Sequence, residues 1–324
     1  MPATAPHFRP KRHEPHPPVP SASHERHGIK LRRFAGSALY AEQLEQPLRV
    51  AHLTDLHVGL VTPMKVQAEA AAVTNRLKPD LVVITGDFVC HSHAFLEDLT
   101  ETLRAFDAPV FAVLGNHDYW AGAPGVRQAI KRSGAELLSN QNTIVTLRGQ
   151  KLQLVGLDDA YTGHADRQRA LRGAARNVPT LGLSHIAEEA DGLWASGVPF
   201  VLSGHTHGGQ LTVAKINELA LGRIGGHRYI HGLYGKRRVT AAELGAVYVG
   251  AGIGAAVVPF RLGDRGKREI ALFELGVHPD HLDEHHEEQA ALRPPRVVPE
   301  HVARAIAHEK FQLRRLKRFR APRE

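Results

Sequence analysis

A chain of 324 residues with 43% hydrophobic content and a single cysteine can bury one large core or two modest ones, and it cannot build a disulfide framework or a Cys-x-x-Cys metal site. The net charge of +8 would suggest a nucleic-acid binder, but the excess sits at the two ends. Residues 1–33 carry +5 and residues 292–324 carry +7, which leaves the middle of the chain at −4.

Residues 1–33 are rich in Pro and His without apolar periodicity, and together with the stretch to residue 43 they read as a disordered basic arm. The arm has no apolar segment of the kind a secretion signal needs, and the segment after Arg32-Arg33 is too polar for a twin-arginine signal. The longest run of small apolar residues, 245–258, is too short and too glycine-rich to span a bilayer. The expected location is cytoplasmic.

From residue 44 short apolar runs alternate with helix-like stretches. Buried strands are predicted at 48–53, 81–84, 109–113, 180–184 and 200–203, with further strands at 143–148, 151–157, 246–250 and 269–275. Helices are predicted at 63–77 and 94–106, which gives β-α-β order and an α/β fold for one domain over 44–276. Cys90 reads as a small apolar packing residue. The stretch 277–298 reads as a flexible acidic linker and 299–324 as a basic amphipathic helical tail. In the tail Val302, Ala305, Ile306, Leu313 and Leu316 share one helical face, with Lys310, Arg314, Arg315 and Arg318 largely off it. Such a helix suits an anionic membrane surface first, packing on its own domain second, and nucleic acid third.

The chemistry lies where the strands end. Asp55 and His57 follow the first strand, Asp87 the second, and Asn116, His117 and Asp118 the third; His185 ends the fourth, and His205 and His207 follow the fifth. An isolated Asp-x-His or Gly-Asp carries little information, but five successive strand exits with ligand-type residues are what an open α/β sheet uses to assemble a site. Carboxylate, imidazole and amide oxygen suit Mn²⁺, Fe or Zn²⁺. There are enough donors for two ions about 3.5–4 Å apart, bridged by one carboxylate, as phosphoryl displacement favours.

This constellation resembles the calcineurin-like metallophosphoesterase superfamily, whose Asp-x-His, Gly-Asp, Gly-Asn-His-Asp, His and Gly-His-x-His pattern stands complete here. The resemblance implies a two-sheet β sandwich flanked by helices over roughly 46–276. It implies one metal held by Asp55, His57, Asp87 and His207, and a second held by Asp87, Asn116, His185 and His205, with Asp87 bridging. The two divalent ions are expected to be Mn²⁺ first, then Fe or Zn²⁺. In the family's mechanism a metal-bridging hydroxide attacks phosphorus, His117 protonates the leaving oxygen, and Asp118 orients His117.

Tyr119-Trp120, Gly208-Gly209-Gln210 and Gly232-Leu233-Tyr234 are similar to a bacterial branch of membrane-surface phosphodiesterases and UDP-diacylglucosamine pyrophosphatases. The chain departs from that branch in having Ala251 before Gly252-Ile253-Gly254, Arg268-Glu269 before the last strand, and no N-terminal anchor. The expected function is hydrolysis of a phosphodiester or pyrophosphate in a lipid or nucleotide-sugar, in the cytoplasm or peripherally on a membrane surface. A nuclease and a non-catalytic metal-binding scaffold are the alternatives; the acidic middle of the chain opposes the first, and the presence of His117 opposes the second. His52 is expected to pack or hydrogen-bond, His91 and His93 to lie in a solvated loop, and His164 and Asp166 to lie at the site mouth or away from it. The His- and acid-rich 278–288 is read as part of the linker in preference to a third metal site.

Overall fold

A computed structural model describes residues 16, 18, 28–90, 92–209, 227–238, 245–255 and 266–292. Its strands are, in order, β1 (Ile29–Ala35), β2 (Leu48–Leu53), β3 (Leu81–Thr85), β4 (Val110–Val113), β5 (Glu136–Leu137) and β6 (Gln141–Leu147). Next come β7 (Gln150–Gly156), β8 (Thr180–Leu183), β9 (Phe200–Ser203), β10 (Gly232–Gly235), β11 (Ala246–Val249) and β12 (Arg268–Leu275). The α-helices are α1 (Leu39–Gln43), α2 (Met64–Arg76), α3 (Leu96–Arg104), α4 (Asn116–Ala121), α5 (Ala123–Ser133), α6 (Arg167–Ala170) and α7 (Ala190–Trp194).

Two six-stranded mixed sheets result, in the orders β1-β12-β2-β3-β4-β5 and β10-β11-β9-β8-β7-β6. Strand alternation builds the layers. In β3, Leu81 and Val83 join one buried cluster while Val82 and Ile84 join another; in β2, Leu48 and Val50 separate from Ala51 and Leu53 in the same way. The shared cluster combines Phe34, Val50 and Val83 of the first sheet with Leu154, Leu181 and Leu202 of the second, so the sheets pack face to face. The outer face of the first sheet is covered by α2, α3 and α5 through Ala70, Leu99 and Val126, and that of the second by α6 and α7 through Ala170 and Leu193. Strands covered on both faces read as continuous apolar runs, which is why the sequence located them. The two-sheet sandwich flanked by helices is therefore observed.

Three features differ from the sequence reading. The helix predicted over 94–106 is a 3₁₀ turn at His93–Phe95 followed by α3. The domain starts earlier than residue 44: β1 pairs in parallel with β12, Ile29 opposite Arg268 through Ala35 opposite Glu274. Arg32 and Arg33 hide this strand in the sequence, yet Arg32 is 1% exposed because its guanidinium meets the buried Glu269 carboxylate. The described part of the presumed linker, 277–292, packs on the domain instead of hanging free. There Glu284 and Glu288 pair with the fully buried Arg237, and the Gln289 N–H donates to the Leu233 carbonyl at 2.8 Å. The tail 299–324 and His91 lie outside the described residues. No helix among the described residues is long and apolar enough to cross a membrane.

Candidate metal centre

Five strands deliver the site, three parallel neighbours in the first sheet and two in the second. Asp55 and His57 leave the carboxyl end of β2, Asp87 leaves β3, Asn116 to Asp118 open α4 after β4, His185 leaves β8, and His205 and His207 leave β9. The exits are sharply bent. Asp55, His57, Asp87, His205 and His207 all have φ between 44° and 77°, a region that side-chain-bearing residues seldom adopt. Cross-loop hydrogen bonds hold them there, from Asp55 N–H to the Gly86 carbonyl at 3.0 Å and from His57 N–H to the Asp87 carbonyl at 2.9 Å. Glycine is required beside them. A Cβ on Gly115 would stand 2.3 Å from Asp87 Oδ1, and one on Gly204 would stand 2.5 Å from Asp55 Oδ2.

Two ligand groups form and share one residue: Asp55, His57, Asp87 and His207 in the first, and Asp87, His185 and His205 in the second. In the first, His57 Nε2 and His207 Nε2 are 3.0 Å apart, and His207 Nε2 is 3.3 Å from Asp55 Oδ1. In the second, His185 Nε2 lies 3.4 Å from Asp87 Oδ2 and 3.2 Å from Asn116 Oδ1. Asp87 Oδ2 also lies 3.6 Å from His57 Nε2, so one oxygen stands between the groups. Its partner Oδ1 accepts the His117 N–H at 2.9 Å. All seven expected ligands are thus brought together.

The donors fit divalent cations. Asp55 Oδ2 accepts the His205 N–H at 3.1 Å, whereas the buried Oδ1 has no hydrogen-bond partner and faces the cluster. An orphaned buried carboxylate oxygen is costly unless something positive meets it. His185 Nδ1 lies 2.7 Å from the Thr85 carbonyl, to which it donates, and this turns Nε2 toward the other ligands. The protein groups of the cluster are shifted unevenly. Burial works against a charged His185, but the Asp87 carboxylate outweighs it and raises its pKa to about 10. Burial holds His57 and His205 well below the usual histidine value.

His117 sits beside the first group, its ring 4.8 Å from that of His57. Its Nδ1 is 2.8 Å from the Cys90 carbonyl, to which it donates, and this contact orients the ring. Asp118 acts differently from expectation. Its carboxylate accepts backbone N–H groups of Gly115, Asp87, Phe88 and Val89 at 2.8–3.3 Å, tying the β3 exit to the start of α4. Burial, with Asp87 nearby, pushes its pKa up to about 8. What fixes the His117 ring is the Cys90 carbonyl, and a backbone oxygen leaves no trace in the residue type.

The remaining candidates are outside the ligand groups. His52 Nε2 bonds Thr85 Oγ1 at 2.8 Å, His93 is exposed, and His164 is exposed and stacks on Tyr119. Asp166 caps α6 by accepting the Arg169 N–H. Trp120, Tyr161 and His227 border the centre by ring contacts with His117 and His205; the sequence had marked Trp120 only as part of the branch resemblance, and Tyr161 and His227 not at all. The 250–255 loop is tied to the loop after β2: Ile253 N–H donates to the Thr54 carbonyl, Gly254 N–H to the Asp55 carbonyl and Ala255 N–H to the Thr62 hydroxyl.

A family model for calcineurin-like phosphoesterases matches residues 48–209. The phosphodiesterase YaeI of Escherichia coli (strain K12) is 30% identical over 217 residues, covering 62% of this chain and 77% of that protein. A Bos taurus transmembrane protein with metallophosphoesterase domain is 29% identical over 245 residues, 68% of this chain, and the match covers about half (51%) of that protein's length. Among solved structures, the Haemophilus influenzae NAD nucleotidase aligns at a TM-score of 0.45 and 16% identity, over 64% of this chain and 46% of that one.

Proposed function

The chain belongs to the calcineurin-like phosphoesterase family, and from that premise we propose that it hydrolyses a phosphodiester or pyrophosphate bond, with His117 as general acid, in a lipid or nucleotide-sugar substrate. The observation that carries this reading is the placement of Asp87 Oδ2 between His57 and His185, with His117 alongside. Asp55, His57, Asp87 and His207 would hold one divalent cation, and Asp87, Asn116, His185 and His205 the other. Bound cations, Mn²⁺ first by donor type, would supply Lewis-acid charge and lower the pKa of water. The chain's own part is to aim the donors and deliver a proton. Thr85 fixes His185, the His205 N–H orients Asp55, and the Cys90 carbonyl reserves His117 Nε2 for the leaving oxygen. The relative named a phosphodiesterase supports the diester assignment. Peripheral attachment to an anionic membrane by the basic tail belongs to the same proposal.

The test is a substrate panel offered to the chelator-stripped and the manganese-reloaded protein: phosphomonoesters, nucleotide-sugars, phospholipids and single-stranded DNA. Cation-dependent turnover of diesters or diphosphates over monoesters is expected. Preferential cleavage of DNA would make it a nuclease, and two bound cations without turnover of any member would make it a scaffold.

A further inference from the structure

The helix α4 that carries His117 has six residues. Isolated helices shorter than about 12–15 residues are marginal in water, so the place of α4 depends on what grips it. The first sheet grips its start: Asp118 accepts backbone N–H groups at the β3 exit, and the His117 N–H donates to Asp87 Oδ1 at 2.9 Å. The second sheet grips it further along, through a residue that belongs to neither ligand group. That residue is Asp158.

Gly156 at the end of β7 pairs in parallel with Leu183 at the end of β8, so two residues further on Asp158 and His185 leave neighbouring strands at the same level. Asp158 is 4% exposed. Its Oδ1 accepts the Tyr119 hydroxyl of α4 at 2.7 Å and the Asp159 N–H at 2.9 Å. Its Oδ2 accepts Arg127 of α5 at 2.8 Å and the Ser139 hydroxyl. Arg127 also donates to the Tyr119 oxygen at 2.9 Å, which closes the triangle. Burial, with the Asp158 carboxylate beside it, raises the Tyr119 pKa, so the hydroxyl keeps its proton and stays a donor. The loop that carries Asp158 is pinned by Asn140, which accepts the Asp158 and Asp166 N–H groups at 3.0 and 2.8 Å. Burying a carboxylate costs free energy that its bonds must offset. Ser139 and the Asp159 N–H serve the loop; Tyr119 and Arg127 carry the grip to α4 and α5.

We infer that Asp158 is a positioning residue for proton transfer: by gripping Tyr119 and Arg127 it fixes α4 against the second sheet, and with it the place of His117 relative to the second ligand group. The inference rests on the general-acid reading of His117 above. Tyr119 stands two residues past His117 on the same short helix, so α4 cannot shift on Asp158 without carrying the acid along. The carboxylates and imidazoles of both ligand groups leave strands instead of α4. Cation binding should therefore survive a small shift that proton transfer does not, since misplacing a reacting group by about 1 Å can cost on the order of 100-fold.

The test offers the manganese-loaded full chain two phosphodiesters, methyl phenyl phosphate and methyl p-nitrophenyl phosphate; the first needs a proton on its leaving oxygen far more than the second. Tyr119→Phe keeps the ring that His164 stacks on and removes the hydroxyl, and Asp158→Asn removes the charge. In both variants kcat on the phenyl ester should fall about tenfold to a hundredfold and on the nitrophenyl ester less than about threefold, with KM and the bound manganese unchanged. If Asp158→Asn does not fold, Tyr119→Phe decides alone. Equal defects on the two esters, or none, overturn the assignment. Arg32→Ala, in β1 with three strands between it and β4, should slow both esters alike; a difference as large as that of Tyr119→Phe would make lost stability the cause and overturn the assignment too. His117→Gln on the same pair tests the acid itself. If its defects are equal, or the parent hydrolyses neither ester, the general-acid reading fails and the His117 ring decides the rest. In the zinc-loaded protein the imidazole N–H on the Cys90 carbonyl gives a proton resonance that His117→Gln identifies by its loss. If that resonance moves in Tyr119→Phe, the grip on His117 stands; if it does not, the grip fails.

Discussion

Asp87 has two tasks for one carboxylate: Oδ1 accepts the His117 N–H, and Oδ2 stands between two clusters of imidazole nitrogens. Asp87→Ala would remove the carboxylate common to both ligand groups, so that two bound cations would face each other without its charge. The variant should lose stoichiometric manganese and turnover, measured by atomic absorption and by diester hydrolysis; two retained ions with full activity would refute the bridge. His117 separates from this role because it lies in neither ligand group. His117→Gln should keep both ions and lower kcat by about 10²–10⁴-fold, the usual contribution of a positioned general acid. Its defect should shrink when the leaving group is p-nitrophenol, which needs little protonation. An equal defect for good and poor leaving groups would show that His117 is not the acid.

At the level of elements, the first sheet depends on polar groups buried between its strands. Arg32 of β1 meets Glu269 of β12, and Glu269 also accepts the Tyr248 hydroxyl and lies 2.8 Å from His231 Nε2. Removing one partner of a buried pair leaves the other uncompensated, so Arg32→Ala should destabilise the fold by about 3 kcal/mol. Arg32→Met combined with Glu269→Gln should recover part of the loss, read from urea midpoints. No recovery would mean that the strand is held by packing instead. His52 of β2, hydrogen-bonded to Thr85, is a second case: burial lowers its pKa to about 3. The folded value lies below the unfolded one, so the contribution is complete above pH 6.5 and is lost as pH falls from 6.5 toward 3. The loss is about 1.4 kcal/mol per pH unit. Between pH 6 and 5 the parent should lose stability more steeply than His52→Gln by about that amount, since glutamine does not titrate. Parallel stability curves would show that His52 is not buried neutral.

Over the whole molecule, charge and chemistry are separated. The ligand groups lie between residues 55 and 207, while residues 292–324 carry +7. The Leu292 N–H still donates to the Arg228 carbonyl at 3.1 Å, so a chain ending at Leu292 keeps the described contacts. That truncated chain should hydrolyse a small soluble diester at nearly the parent rate. The parent should sediment with anionic vesicles and the truncated chain should not, each basic side chain near the surface contributing roughly 1 kcal/mol. The attachment should weaken as salt rises, because it acts over about a Debye length. Equal sedimentation with and without the tail would end the membrane role, and loss of soluble activity would place the tail in the domain's own packing.

The sequence by itself determined the buried strands and the ligand-type residues at their exits. A strand covered on both faces must be apolar throughout, and β3, Leu81–Thr85, declares itself that way. Ligand-type residues at strand exits follow from the geometry of parallel sheets, so Asp55, Asp87 and His205 could be placed before any contact was known. The tertiary structure alone decided what depends on partners distant in the chain. The charged strand β1 exists because Arg32 finds Glu269, which lies 237 residues away. Glu284 and Glu288 belong to the domain because Arg237 is buried beneath them. The orientation of His117 is set by the backbone oxygen of Cys90 and that of His185 by the backbone oxygen of Thr85. Every residue carries such an oxygen, so only the fold can say which one a ring will find.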